Sequence, residues 1–347
     1  MDLRRKRVTL VVILILLAVG IVVPLAIFLN TPTSELTVEL TKLGQIDLGD
    51  RTANVKVQGD VAYIIDQSEP TPKGLVLINV SDPMNPIELS SYHDGGMPRE
   101  LDVVENIVYV TDAFQGLEII DVSDTANPQK IGEYIGSGEI YDIQVFGDLA
   151  YLADWNNGMV ILNVSDPTSP EFLSDYSILG ACHHLHVVDD FAYVIDHRDY
   201  NTGFKILNIS DPLDPELVGN YMPDDEDLWN PFVVENYMYV GNHATDGGEL
   251  QILDLSDPTN ITRVGMYDDV WSNLFSVFVE NQIAYIADAT RGLVIVDVRN
   301  PSNPVFLADF SDDSGAIGLD VVDDLVYLAN IDGGLEIIQV SGLDSLS

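Results

Sequence analysis

Apolar runs rich in Val, Ile, Leu and Tyr recur along most of the chain, each only a few residues long and each bounded by Gly, Asp, Asn or Pro. Short apolar runs with turn residues at both ends are strand signals. Over residues 141–176 the pattern predicts four strands: Tyr141–Phe146 (a), Leu149–Ala153 (b), Met159–Val164 (c) and Glu171–Tyr176 (d). Gly147-Asp148 makes a tight a–b hairpin. Asp154–Gly158 forms the b–c loop, and Ser165-Asp166-Pro167 carries c into d. The same sentence is written seven times. Its marker tyrosines, Tyr63, Tyr109, Tyr151, Tyr193, Tyr239, Tyr285 and Tyr327, follow one another at intervals of 46, 42, 42, 46, 46 and 42 residues. A period of this size signals a solenoid, propeller or array. Four short antiparallel strands per unit is a propeller blade, so the predicted fold is all-β, a seven-bladed β-propeller.

Counting back from each tyrosine turns the repeat into a coordinate system. The sixth preceding residue is valine in every copy, Val57, Val103, Val145, Val187, Val233, Val279 and Val321. Two residues earlier the chain is apolar or proline each time, which gives the period of two expected of a buried strand face. A glycine opens strand c at Gly74, Gly116, Gly158, Gly203, Gly292 and Gly334, where positive φ or close backbone approach is expected. The last unit ends after strand c, and Glu39–Ile46 imitates the d-strand run of the other copies. That N-terminal strand is expected to complete the seventh blade and close the ring, which removes exposed edges.

The strings GLVLINVSDPMNP, GMVILNVSDPTSP and GLVIVDVRNPSNP resemble the LVIVP repeat, a propeller-forming family of prokaryotic surface proteins; the resemblance covers about residues 36–340. It implies the fold and carries no catalytic centre to transfer. The fifth copy departs furthest, with Gly241-Asn242 and Asn260-Ile261 in place of the usual residues, so its b–c loop is expected to be unusual.

The N-terminus adds a different element. Residues 8–29 hold 22 positions without a charge, about 33 Å as a helix and enough to cross a bilayer core. Arg4, Arg5, Lys6 and Arg7 precede it, and a positive flank of this kind stays in the cytoplasm. The expected organisation is a basic cytoplasmic flank at 1–7, an uncleaved signal-anchor helix at 8–29, a linker at 30–36 and an extracellular propeller at 37–347, with a cleaved signal peptide as the competing reading. The formal charge of the whole chain is -41, and without the flank's four basic and one acidic side chains the rest carries -44. Such a field repels phosphate backbones and argues against nucleic acid as a partner. The single cysteine, Cys182, excludes an intrachain disulfide, so stability must come from the core.

Candidate chemistry gathers at one end of the ring, where strand a starts and strand b ends. The ninth residue before each tyrosine is Asn54, Glu100, Asp142, His184, Asn230, Ser276 and Gly318, a variable and mostly polar set at the mouth of the axial channel. The third residue after each is Asp66, Asp112, Asp154, Asp196, Asn242, Asp288 and Asn330, which suits a repeated turn. Together the two rings are expected to form an acidic funnel suited to Ca²⁺ or a cationic group. His183, His184 and His186 form the densest histidine cluster. With strict alternation His184 and His186 share a face and His183 points away, so a metal on the two same-face histidines needs a third ligand from a neighbour such as Asp142 or Glu100, and the candidate ligands are Glu100, Asp142 and His184. Trp155, Trp229 and Trp271, with Phe114 and Phe275, fall on the same rim and suit sugar or peptide contact. Asn79, Asn163, Asn208 and Asn260 sit in glycan-acceptor triplets, three of them in a turn slot of the repeat. The leading expectation is a non-catalytic, membrane-anchored adhesion or binding module for an extracellular protein or glycan. The alternatives are a membrane-tethered hydrolase or lyase with an acidic site at the mouth, and a structural envelope component.

Overall fold

The computed structural model describes residues 38–343, apart from positions 50, 114, 137–138, 179–180, 199–200, 224–226, 244–247, 269–273 and 312–313. The expected anchor at 8–29, the linker, Phe114 and Trp271 lie outside the described residues. Among the described residues no helix is long and apolar enough to cross a membrane.

Seven four-stranded antiparallel sheets follow one another along the chain, and six are built from consecutive strands in the order a-b-c-d. In the third, Ile140–Phe146, Leu149–Asp154, Gly158–Asn163 and Glu171–Tyr176 match the predicted strands to within a residue. The seventh sheet is completed across the chain's ends. Glu39–Ile46 pairs antiparallel with Gly334–Ser341, Leu40 opposite Val340 and Ile46 opposite Leu335, and Lys42 Nζ reaches Glu336 at 2.5 Å.

The core lies between successive blades, which bury both faces of each sheet. Tyr151, Met159 and Ile161 of blade three pack on Leu185, Val187 and Val194 of blade four. Every marker tyrosine is at most 8% exposed, so the repeat's most regular residue belongs to the scaffold. Of the six glycines expected to open strand c, five do so and have positive φ; in blade four the strand begins at Asn201, two residues before Gly203. At Gly203, whose φ is not positive, an added Cβ would meet the Tyr221 carbonyl oxygen, so the close-approach reason applies there.

One irregularity repeats in all seven blades and decides what the channel presents. The innermost strand is bulged near its start. In blade four, Cys182 pairs with Asp196 and Leu185 with Val194, so His183 and His184 together oppose the single residue Ile195. Equivalent shifts occur in the other six inner strands. A bulge re-aims side chains that strict alternation would send to opposite faces.

Candidate functional site

The bulges bring two adjacent residues to the mouth in every blade but the third, where Tyr141 lines it and the expected Asp142 does not. A cavity of about 330 Å³ opens there, lined by Asn54, Glu100, His184, Asn230 and Ser276 of the expected ring, and also by the residues one step earlier, Ala53, Arg99, Tyr141, His183, Trp229 and Phe275. Of the second set, Trp229 and Phe275 were expected on the rim; Ala53, Arg99, Tyr141 and His183 were not. Alternation assigns the tenth residue before each tyrosine to the packed face, and the bulge turns it inward. Its signal in the sequence was Arg99 and His183 standing at a position whose parity elsewhere is apolar.

The expected opposition of His183 and His184 is corrected for the same reason. Their ring nitrogens lie 2.8 Å apart, His183 Nδ1 to His184 Nε2, whereas His186 lies against Phe232 at 4.9 Å. Around them an aromatic cluster closes one side of the mouth. His183 is 4.4 Å from Tyr141, 4.7 Å from Trp229 and 5.8 Å from Trp155, and Trp229 stacks on His243 at 5.2 Å. Burial pushes His183 down to about 2 and lowers His197 and His243 from their ordinary value, so these rings stay neutral near neutral pH. Trp155, 39% exposed, offers its ring to solvent beside Tyr141, 5.3 Å away.

Several expected site residues also hold the ring together. Asp142 Oδ1 accepts from the Ile143 N–H at 2.7 Å and Oδ2 from the Leu185 N–H of the next blade at 2.9 Å. Asn54 Nδ2 donates to Glu100 Oε1, Leu101 N–H donates to the same oxygen, and Asn230 Nδ2 donates to the Phe275 carbonyl. Burial, and then the charge of Asp142, pushes Glu100 up to about 8. Among the described residues no group of three His, Cys, Asp or Glu side chains is placed to hold a metal ion. The expected set of Glu100, Asp142 and His184 is not gathered as ligands: Asp142 already has both oxygens on backbone N–H groups, and His184 Nδ1 stays 3.7 Å from Oδ2.

The funnel's second ring does not open to the mouth either. Asp66, Asp112, Asp154, Asp196, Asn242, Asp288 and Asn330 are at most 5% exposed. Asp154 Oδ1 accepts from the Asn156 and Asn157 N–H groups at 2.9 Å, and Asp288 Oδ1 does the same for Thr290 and Arg291, which is the turn role the repeat suggested. In blade five Asn242 fills the slot, accepting from Asp227 N–H at 2.9 Å and donating to Glu249 at 3.1 Å; the loop beyond it lies partly outside the described residues. Asn79, Asn163 and Asn208 likewise accept from N–H groups two residues on.

Two residues below the mouth ring is a further ring of inward positions, Lys56, Asp102, Gln144, His186, Phe232, Phe278 and Asp320. Burial lowers the affinity of Lys56 for its proton, but the charges of Asp320, Asp102, Glu100 and Asp142 more than offset this and raise its pKa. Asp102 Oδ2 accepts from Val145 N–H of the next blade and Asp320 Oδ2 from Val57 N–H, both at 2.7 Å. Gln144 bonds both backbone groups of Val187. Val57, Val145 and Val187 therefore supply backbone groups to the neighbouring blade as well as packing.

Seven four-stranded blades around a residue-lined channel define the chain as a β-propeller. It belongs to a particular family of such repeats: the LVIVD repeat profile matches six times, at residues 49–94, 95–135, 137–177, 180–223, 227–269 and 275–312, which is the repeat named above from its strings. No functionally curated protein matches the sequence. Among solved structures, the chain is similar to the WD40 β-propeller domain of Doa1 (TM-score 0.69, 10% identity, 87% of this chain and 97% of that one). It is also similar to the computationally designed Ika8 protein (0.60, 13%, 86% and 99%) and to BamB from Moraxella catarrhalis (0.59, 10%, 87% and 98%). At these identities the likeness concerns the fold alone.

Proposed function

We propose that the chain is a membrane-anchored binding module that holds an extracellular glycan or protein group at the mouth of its channel, without chemistry on it. The observation that carries the reading is the mouth itself: a cavity of about 330 Å³, near the lower end of the size range of small-ligand sites, built from positions that vary from copy to copy. Aromatic faces stand next to polar edges there, the combination that suits a sugar ring or a peptide side chain. The apolar stretch at 8–29 with its basic flank supports a tether that leaves the propeller outside the cell.

The test is to probe the full chain in detergent against arrays of cell-surface polysaccharide fragments and synthetic peptides, beside Trp229→Ala and Trp155→Ala. Binding to a restricted set of probes is expected, reduced by Trp155→Ala at unchanged melting temperature and by Trp229→Ala in a protein that remains folded. Equal binding by all three proteins puts the contact elsewhere. Products released from a captured probe convert the reading to a hydrolase or lyase. Protease shaving of intact cells checks the tether, which fails if the propeller is protected.

A further inference from the structure

The chain has 56 acidic and 15 basic side chains, so a cation within it should have no difficulty finding a carboxylate. Among the lysines and arginines whose side chains are described, all but three do so within 4 Å, as Lys205 does with Asp196 at 2.6 Å. The three are Arg51, Lys56 and Arg99. All belong to the axial channel; Lys56 lies in its deeper ring, and Arg51 and Arg99 line the mouth cavity.

Arg99 is held without a salt bridge. Its guanidinium lies over the Tyr141 ring at 4.6 Å, a cation–π contact that fixes the group while leaving its hydrogen-bond donors to other partners. Its Nε is shielded from solvent and has no hydrogen-bond partner, and the same is true of Trp229 Nε1 and His184 Nδ1 in the same lining. Arginine Nε and indole Nε1 can only donate, so the mouth presents unpartnered donors and calls for an acceptor. Glu100, the one carboxyl among the lining residues, retains its proton to about pH 8, and Glu139, outside the lining, accepts from the Tyr141 hydroxyl at 2.9 Å.

Resting on the binding role proposed above, we infer that the mouth takes an acidic sugar, its carboxylate on Arg51 and Arg99 and its ring against the aromatic side formed by Tyr141 and Trp155. A planar guanidinium fork matches a carboxylate in two parallel bonds. The half-exposed Trp155 beside Tyr141 provides an apolar face on which a pyranose can lie. An acidic peptide would satisfy the arginines but makes less use of that face, and serves as the contrasting probe. The anion preference is local, set against the repulsive field of a chain with net charge -41, so it depends on contact with these donors and not on long-range attraction.

Calorimetric titration of the full chain in detergent with glucuronic acid, a galacturonic acid disaccharide, glucose and a glutamate-rich peptide tests this. The uronic acids are expected to bind at least about tenfold more tightly than glucose, and Arg99→Gln or Arg51→Gln to remove about that factor, with Arg99→Lys restoring part of it. Arg51 is exposed, so Arg51→Gln remains informative if Arg99→Gln does not fold. Equal affinity for glucose and glucuronic acid, indifferent to both arginines, overturns the acidic-sugar inference while leaving a binding mouth in place. Tighter binding of the peptide, or no heat with either uronic acid, also overturns it. The Trp229→Ala array result then decides the broader reading separately.

Discussion

The two halves of the deep channel ring hold the same backbone positions by different means. Across blades seven, one, two and three, Asp320, Asp102 and Gln144 reach from one inner strand to a backbone N–H of the next, with Lys56 among the carboxylates. Across blades four, five and six, rings stand in their place, His186 on Phe232 at 4.9 Å and Phe232 on Phe278 at 5.2 Å. Neighbouring inner strands share no sheet, and each half bridges the gap between them with its own chemistry. Variation at a repeated inward position therefore has two sources, ring assembly and ligand contact. What separates them is whether the polar atoms are partnered. Asp142 is variable and fully engaged; Arg99 and Trp229 are variable and have unpartnered donors.

Truncating the aromatic half should cost most. Phe232→Ala removes the ring between two others and is expected to lower unfolding free energy by about 3 kcal/mol, read by urea denaturation. In the polar half, Asp102→Ala leaves the Val103 and Val145 N–H groups without their acceptor, for a loss of about 2 kcal/mol, and Asp102→Asn, which keeps one carbonyl oxygen, should lose about half of that. If Asp102→Ala proves the costlier, polar bridging dominates the assembly and the ordering of the halves reverses.

The halves should also titrate in opposite directions. Glu100 keeps its proton to about pH 8 in the fold, against 4.5 ordinarily, so between those values the folded chain binds the proton that the unfolded chain has released. Stability falls as pH rises through that window, and Glu100→Gln should flatten the slope, by about 1–2 kcal/mol at pH 8. On the aromatic side burial pushes His183 down to about 2 and His186 to about 4. There the unfolded chain takes up protons first as pH drops below 6.5, and acid costs stability. The smallest change is His186→Phe, which extends the ring stack. It should cost about 1 kcal/mol at neutral pH, for the lost bond to the Val233 backbone, and make denaturation midpoints less acid-sensitive between pH 6.5 and 4. Unchanged acid sensitivity would place the effect on His183 and its neighbours.

The fold was legible because its information is periodic. Seven valines, seven tyrosines and the d-like run at Glu39–Ile46 each recur or complete a recurrence, and strand lengths and ring closure follow from counting. The mouth was half legible. The ring containing Asn54, Glu100 and His184 was found by the same counting, but His183 was turned away from it and Arg99 and Tyr141 were not singled out, because a bulge is a property of pairing between strands and leaves no fixed residue type behind. The deep ring shares the parity of the mouth ring, and Lys56, Asp102 and Gln144 between apolar neighbours were a usable sign of it. Nothing local distinguishes Asp142, which bridges strands, from Glu100, whose proton is retained; that difference arises from groups on separate blades.

The seventh blade has a consequence in time. Its outermost strand, Glu39–Ile46, is the first to be synthesised, and its partner, Gly334–Ser341, is the last, with Lys42 and Glu336 standing 294 residues apart. At roughly 5–20 residues per second, the first strand waits on the order of 15–60 seconds for its pairing edge to exist. For that interval six blades can stack while the ring stays open, and the early strand must remain unpaired with any other edge. Its Lys42 and the adjacent bulge at Leu43 are features that discourage such pairing. Closure is then a single late event that converts an open stack into a ring, and the slowest contact to form is also the one on which the whole circle depends.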